Sequence, residues 1–354
     1  MRHRERRHAA RLRSDDGTPV ALGADMNSAL LLTGCAALLL ACDSRVINGD
    51  QDLFFDDEDG SSSGGGDDGG YGGSYGHGPA TSVSSSASGY TSGSGGTVIH
   101  EGEQAFVAIG AGWYHACGIG IDGALTCWGD DDSGQASPPA GAFLQVAGGT
   151  WSTCGLRADR TVICWGDPDQ SASPHSTFDA IGVAYDGGGC GIEGDEIRCW
   201  NHGVETAVPG SYTSLSVGGF HACALRTDGT AHCWGGNAWG QSSPPAGTFV
   251  RVAAGNLHTC GLRPGGEIEC WGYDAQGQLS PPNGPFTDVY GGADASCGLR
   301  VDGSLACWGW DTVTGPPSGA FATMSFGNFH ACGLRPGGTV ACWGENDRGQ
   351  SSPP

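Results

Sequence analysis

Between residues 106 and 354, apolar positions alternate with period 2 inside a unit of 33 to 37 residues that occurs seven times. A repeat of that length signals a solenoid or a propeller, in which each unit buries its faces against its neighbours. Aligned on the second of two cysteines per unit, the next column reads Trp128, Trp165, Trp200, Trp234, Trp271, Trp308 and Trp343. Two residues before that cysteine stand Leu125, Val162, Ile197, Ala231, Ile268, Leu305 and Val340. Two after the first cysteine stand Ile119, Leu156, Ile192, Leu225, Leu262, Leu299 and Leu334. Between these runs lies a turn such as Ile121-Asp122-Gly123 or Pro264-Gly265-Gly266. Alternating apolar runs around a Gly-containing turn predict a β-hairpin, here with both faces buried. An aromatic stands usually eleven residues before the first cysteine: Phe106, Phe143, Phe178, Tyr212, Phe249, Phe286 and Phe321. It opens a further apolar stretch, so each unit has three strands. The Gly- and Pro-rich return after the Trp, as in residues 234–245, is unsuited to a central strand.

The cysteines sharpen this picture. Fourteen of the 16 fall into pairs: Cys117 and Cys127, Cys154 and Cys164, Cys190 and Cys199, Cys223 and Cys233, Cys260 and Cys270, Cys297 and Cys307, Cys332 and Cys342. Six pairs are ten apart and the third is nine apart, but the turn of that copy, Gly194-Asp195, is also one residue shorter. The two changes cancel. What is preserved is a cross-strand position, where Cα atoms lie about 4.5 Å apart and a disulfide can close. Seven disulfides within the hairpins are expected. His115, His221, His258 and His330 each stand two residues before a cysteine, so a Cys-Cys-His metal cluster is conceivable in four copies. The other three copies have Ser152, Gly188 and Ala295 there while keeping both cysteines, and no Cys-x-x-Cys occurs. Disulfides are therefore favoured over metal, and the histidines are expected to bond backbone near the strand entry.

Cystine on this scale calls for an oxidising compartment, and the first 41 residues read as an export signal. Arg2, Arg4, Arg6, Arg7, Arg11 and Arg13 precede an apolar run, Ala29 to Leu40, that is too short for the roughly 20 residues of a membrane span. Asp15, Asp16 and Asp25 interrupt the basic region, which leaves Met26 as an alternative start. The run ends in Leu39-Leu40-Ala41-Cys42, which resembles the lipobox of bacterial lipoproteins and makes Cys42 the expected lipidation site. Simple cleavage without lipid is the alternative. From 42 to 104 the chain is acidic and then Gly/Ser-rich, with no apolar face to offset ordering entropy, so a disordered tether is expected. Its roughly 60 residues would span about 45 Å root-mean-square.

Charge narrows the function classes. The chain carries 38 acidic and 16 basic residues, a formal net charge of −22. Removing residues 1–41 takes away six Arg and four acids and leaves a net charge near −24. Nucleic acid and anionic membrane surfaces would be approached against the protein's own field.

The unit Ala253-Ala254-Gly255-Asn256-Leu257-His258-Thr259-Cys260-Gly261-Leu262-Arg263, followed by Cys270-Trp271-Gly272 and Gly277-Gln278, resembles the repeat of the regulator of chromosome condensation family. The short period, three strands and Gly-Gln-x-x-x-Pro return are most similar to secreted bacterial β-lactamase inhibitors of propeller form. The resemblance covers residues 106–354 and implies an all-β, seven-bladed propeller of three-stranded blades, 105–354, whose ring closes by packing blade seven on blade one. The cysteine pair in every blade departs from the family pattern.

In such a blade the loop after strand one and the segment after the Trp emerge on one face, and the Asp-Gly turns on the other. The first face varies from copy to copy and carries Trp113, Tyr114, Trp151, Phe220, Trp239, Tyr273, Asp274, Trp310, Asp311 and Phe329. Aromatics mixed with Asp and Asn on a regular scaffold have the composition of a protein-binding patch; the resemblance to the inhibitors implies the same face. No His-Glu-x-x-His, Gly-x-Ser-x-Gly or phosphate loop occurs, and no cofactor is expected. The reading is an exported, lipid-anchored, monomeric binding module of the cell envelope, or a secreted one, with a protein partner and no nucleic acid. A propeller that binds or cleaves surface glycan is the alternative. Guanine-nucleotide exchange or chromatin binding, implied by the wider family, ranks third.

Overall fold

The cysteine columns face one another in an antiparallel hairpin in every repeat, as Cys117 does Cys127 across the strands of the first copy and Cys190 does Cys199 in the third. The computed structural model describes residues 105–310 and 313–354 together with Ser82–Val83. The leader, Cys42, nearly all of the tether and Asp311 lie outside the described residues. Ser82–Val83 runs parallel to the first strand of blade 4. The described chain forms seven antiparallel sheets, at residues 106–129, 143–166, 180–208, 212–235, 251–272, 286–309 and 323–344. These are blades 1 to 7 of a seven-bladed propeller. In blade 1 the inner, middle and outer strands are Phe106–Ala111, His115–Gly120 and Leu125–Gly129.

All seven expected disulfides are present. Cys117 is bonded to Cys127, Cys154 to Cys164, Cys190 to Cys199 and Cys223 to Cys233. Cys260 is bonded to Cys270, Cys297 to Cys307 and Cys332 to Cys342. Their Cα atoms are 4.0 Å apart in six blades and 3.9 Å in blade 3, so the shortened turn does keep the pair opposed.

Each blade buries its two faces against different neighbours. Cys154, Leu156, Val162 and Cys164 of blade 2 pack against Phe178, Ile181, Val183 and Trp200 of blade 3. The same geometry closes the ring, with Cys332, Leu334, Val340 and Cys342 of blade 7 against Phe106, Ile109, Ala111 and Trp128 of blade 1. Polar contacts repeat it: Phe143 N donates to Gly123 O at 2.9 Å, and Phe106 N donates to Gly338 O at 2.8 Å across the closure. Trp128 Nε1 donates to Gln350 O at 3.0 Å, as Trp271 Nε1 does to Gln241 O at 2.8 Å. Arg348 of blade 7 adds an ion pair at 2.9 Å to Asp130 and another at 2.9 Å to Asp132 of blade 1.

Three details differ from the expectations. The first is that the hairpin is not buried on both faces throughout. The middle strand of blade 1 is wholly buried, but most of its outer strand is only half-buried, because its far edge meets solvent. The cysteines of the outer strands share that edge: Cys127, Cys164, Cys233, Cys270, Cys307 and Cys342 are half-buried, whereas their partners on the middle strands are fully buried.

The second difference is in blade 3, which has a fourth strand, Val204–Val208, antiparallel to Glu196–Asn201. Copy three lacks the Gly-Gln return, and a tight turn with positive φ at His202 and Gly203 (46° and 79°) sends the chain back instead. Thr206 of that strand lies opposite Cys199 and seals it at 2% exposure, unlike the six outer cysteines of the other blades. Stepwise reduction with alkylation is therefore expected to label Cys190 and Cys199 last; early labelling of that pair would contradict the fourth strand.

The third difference is that three of the histidines turn Nε2 toward a side-chain hydroxyl of the next blade, a contact beyond the expected backbone bonding. His115 Nε2 meets Thr153 Oγ1 of the next blade at 2.6 Å, His221 Nε2 meets Thr259 Oγ1 at 2.6 Å, and His258 Nε2 meets Ser296 Oγ at 2.7 Å. Thr153 and Thr259 donate onward to the carbonyls of Gln135 and Gln241. These two hydroxyls must therefore accept from the imidazoles of His115 and His221, which are neutral and protonated at Nε2. The corresponding blade 1 residue is Ala116, which offers no hydroxyl, and His330 Nε2 makes no such bond.

Glycine keeps the blades close at the axis. A Cβ on Gly148 would stand 2.5 Å from both Cα and N of Gly112 in the adjacent blade, with backbone on both sides of the contact. Gly148→Ala is expected to cost about 2–3 kcal/mol by overpacking, read as a lowered denaturant midpoint.

Candidate functional site

The loops that follow the inner strands surround one end of the propeller axis. Their backbones are tied to one another: Trp113 N donates to Gly149 O at 3.0 Å, Thr150 N to Tyr185 O at 3.2 Å, and Gly219 N to Gly255 O at 3.1 Å. The rim so formed encloses an axial cavity of about 60 Å³, lined mainly by glycine and alanine. Five residues before the first cysteine, six blades carry glycine: Gly112, Gly149, Gly218, Gly255, Gly292 and Gly327. Blade 3 carries Tyr185 there. Tyr185 is part of the cavity lining and was not among the expected site residues. Its signal in the sequence is that single break in a glycine column; it lies two residues off the column shared by Tyr114, Trp151, Phe220 and Phe329.

Tyr185 joins the predicted aromatics. Its ring stacks on Trp113 with centroids 5.1 Å apart and meets Phe220 edge-on at 6.4 Å. Trp113 stacks on Tyr114 at 5.9 Å, and Tyr114 meets Trp151 at 5.9 Å. Phe220, Tyr185, Trp113, Tyr114 and Trp151 thus form one continuous half-buried cluster from blade 4 round to blade 2. The remaining predicted aromatics do not join it. Trp239 packs edge-on against Tyr273 at 4.7 Å, and Trp310 packs the same way against Phe329 at 5.1 Å. Trp239 is 55% and Trp310 36% exposed. Asp274 is exposed, but its Oδ1 accepts the Leu279 amide at 2.9 Å, so it also shapes its own return loop.

The electrostatics of this face are one-sided. Asp130, Asp131, Asp132, Asp274, Asp294 and Asp347 lie on it, and the one arginine among its described residues is Arg348, which already bridges Asp130 and Asp132. Six arginines, Arg157, Arg160, Arg226, Arg263, Arg300 and Arg335, sit at the opposite turns, interspersed with carboxylates. Five blades there place an arginine over the inner-strand aromatic, as Arg263 does 3.8 Å from the Phe249 centroid. At the rim, partial burial raises the Asp294 carboxyl above its ordinary value. Burial, and secondarily the charge of Asp294, pushes up the Tyr185 hydroxyl, with the Asn256 side chain opposing. Among the described residues, no group of three or more His, Cys, Asp or Glu is placed to hold a metal ion, and no helix is long and apolar enough to cross a membrane.

The sequence model described as the regulator of chromosome condensation (RCC1) repeat matches residues 106–135, 212–241, 249–278 and 321–350. These are blades 1, 4, 5 and 7, the four whose return contains Gly-Gln: Gln135, Gln241, Gln278 and Gln350 are buried, and each accepts the amide two residues upstream. Blades 2, 3 and 6 keep the hairpin but lack that turn. No curated protein matches the chain. Among solved structures, the CRINKLY WD40 ectodomain of the receptor kinase ACR4 from Arabidopsis thaliana is similar at 26% identity and a TM-score of 0.59, covering 68% of this chain and 96% of that one. The ectodomain of the receptor kinase CR4 from Physcomitrella patens is similar at 25% identity and a TM-score of 0.60, covering 68% and 74%. Prp20p from Saccharomyces cerevisiae shares 17% identity with a TM-score of 0.43, covering 69% and 72%.

Proposed function

The chain belongs to the regulator of chromosome condensation repeat family, and from that premise we propose that it is an exported binding module that recognises a protein partner through its loop face. The observation that carries this reading is the aromatic cluster built by Trp113, Tyr114, Trp151, Tyr185 and Phe220 from variable loops on an otherwise regular scaffold. Clustered Trp and Tyr beside a few polar groups are the anchors on which protein interfaces concentrate their binding energy. Seven disulfides, and two similar ectodomains, support a setting outside the cytoplasm. In this reading Cys42 carries a lipid and residues 43–104 act as the tether that holds the propeller away from the envelope. The exposed Trp239 and Trp310 favour a second reading, in which the same face takes a surface glycan by stacking.

Capture from envelope extracts tests the proposal. Wild-type protein is expected to retain a partner protein, and the Trp113/Trp151/Trp239/Trp310→Ala variant to lose it by tenfold or more, since each anchor is worth about 1–2 kcal/mol. Equal capture by both proteins would remove the loop face as the site.

A further inference from the structure

The loop face has features that narrow the chemistry of its partner, on the reading that this face is where the partner binds. Tyr185 projects from a position where every other blade keeps glycine, so its ring lies at the axial rim instead of inside a blade. There it touches Trp113 of blade 1 and Phe220 of blade 4. Asp294 of blade 6 is close enough to act on its hydroxyl, and a side chain at Gly219 would meet both Tyr185 and Asn256 of blade 5. Residues from five blades thus meet at one aromatic centre. Carboxylates stand at two places along the cluster: the charge of Asp294 acts on Tyr185, and Asp130, followed by Asp131 and Asp132 on the blade 1 return, donates its backbone N–H to the Tyr114 carbonyl at 2.9 Å. Arg348 sets two of these carboxylates and 51% of its own side chain is exposed, so it neutralises only part of the patch.

Aromatic faces ringed by carboxylates attract ammonium and guanidinium groups twice over. The ring quadrupole draws the cation at contact distance, and the acidic field steers it from farther away. An acidic segment would be repelled by the same field. We propose that the loop face takes a basic segment of its partner protein, with Lys or Arg side chains seated on the Trp113–Tyr185–Phe220 cluster over the axis and matched by Asp294 and Asp132.

The full chain can be tested with two probes, a fluorescent octalysine peptide and an octaglutamate peptide, by anisotropy at low and at physiological salt. Octalysine is expected to bind and octaglutamate not to bind. Tyr185→Gly, which restores the residue found in the other six blades, is expected to weaken octalysine binding about tenfold. Asp132→Asn with Asp294→Asn is expected to weaken it by about tenfold at low salt and less at physiological salt. Glu196→Gln with Glu267→Gln removes the same charge from the exposed turn face and is expected to leave binding within about twofold. No binding of octalysine, equal loss from the two double variants, or an unchanged Tyr185→Gly protein would each overturn the inference. Loss of partner capture in the four-Trp variant combined with any of those results would leave the loop face as the site and remove only the basic partner.

Discussion

Reducing all seven disulfides is expected to lower the free energy of unfolding by roughly 19 kcal/mol. Each staple closes a loop of about ten residues, and in the chain-entropy account such a loop contributes about 2.7 kcal/mol by restricting the unfolded chain. That loss is of the same order as the whole stability of a folded domain, so the reduced propeller should unfold at a much lower urea concentration than the oxidised one. Urea titrations followed by tryptophan fluorescence, with and without reductant, measure the difference. Removal of one staple, by Cys260→Ala with Cys270→Ala, should cost about 2–3 kcal/mol, and removals in non-adjacent blades should add. A reduced protein as stable as the oxidised one would show that the blades hold by inter-blade packing alone.

Acid is the second large lever. His115 and His258 are pushed down to about 4 by burial, with Asp131 opposing at His115; His221 and His330 are pushed down to about 3 by burial and by the neighbouring His258 and His115 respectively. In the unfolded chain each has its ordinary value of about 6.5. Between these limits the unfolded state binds more protons than the folded one, so stability falls as pH falls from 6.5 toward 4. At pH 5 the loss is about 2 kcal/mol for each histidine and roughly 8 for the four. Asp288 works in the opposite direction, because burial raises its carboxyl despite the countering charge of Arg251, and the folded state then takes up its proton more readily. Asp159, Asp228 and Asp302, held low chiefly by the hydroxyls of Thr161, Thr230 and Ser304, add a loss that begins below about pH 4. Denaturant midpoints at pH 7 and pH 5 test the slope, and His330→Gln should remove about a quarter of it. A stability that does not change between pH 7 and pH 5 would place these histidines in water.

The fold was legible because its instructions are local and sevenfold. A hairpin with opposed cysteines, an aromatic eleven residues upstream and a Gly-rich turn recur often enough that one exception, the shortened turn at Gly194, confirms the pairing rule. What escaped is tertiary or unique. The hydroxyls that receive the histidines belong to the next blade, so no spacing within a repeat reveals them. The exposure of the outer cysteines, such as Cys233 and Cys307, depends on whether a further strand covers them, which the hairpin pattern does not encode. The fourth strand of blade 3 begins at a turn, Asn201-His202-Gly203, that replaces a return loop and resembles one in composition. Tyr185 broke a glycine column instead of occupying the aromatic one, and only the structure shows that this break brings a ring to the axis. Trp113, Tyr114, Trp151 and Phe220 could be assigned to a face from the strand directions, but the contact between Trp113 and Phe220 runs through Tyr185.

The staples matter most, since they fix the blades and point to an oxidising compartment. Mass spectrometry of the protein isolated from its own cells, alkylated at once and digested without reduction, tests them directly. It should find seven disulfide-linked peptides joining Cys117 to Cys127 and so on through Cys332 to Cys342, with no alkylated cysteine between residues 117 and 342. Free thiols at these positions, or links between different blades, would contradict it.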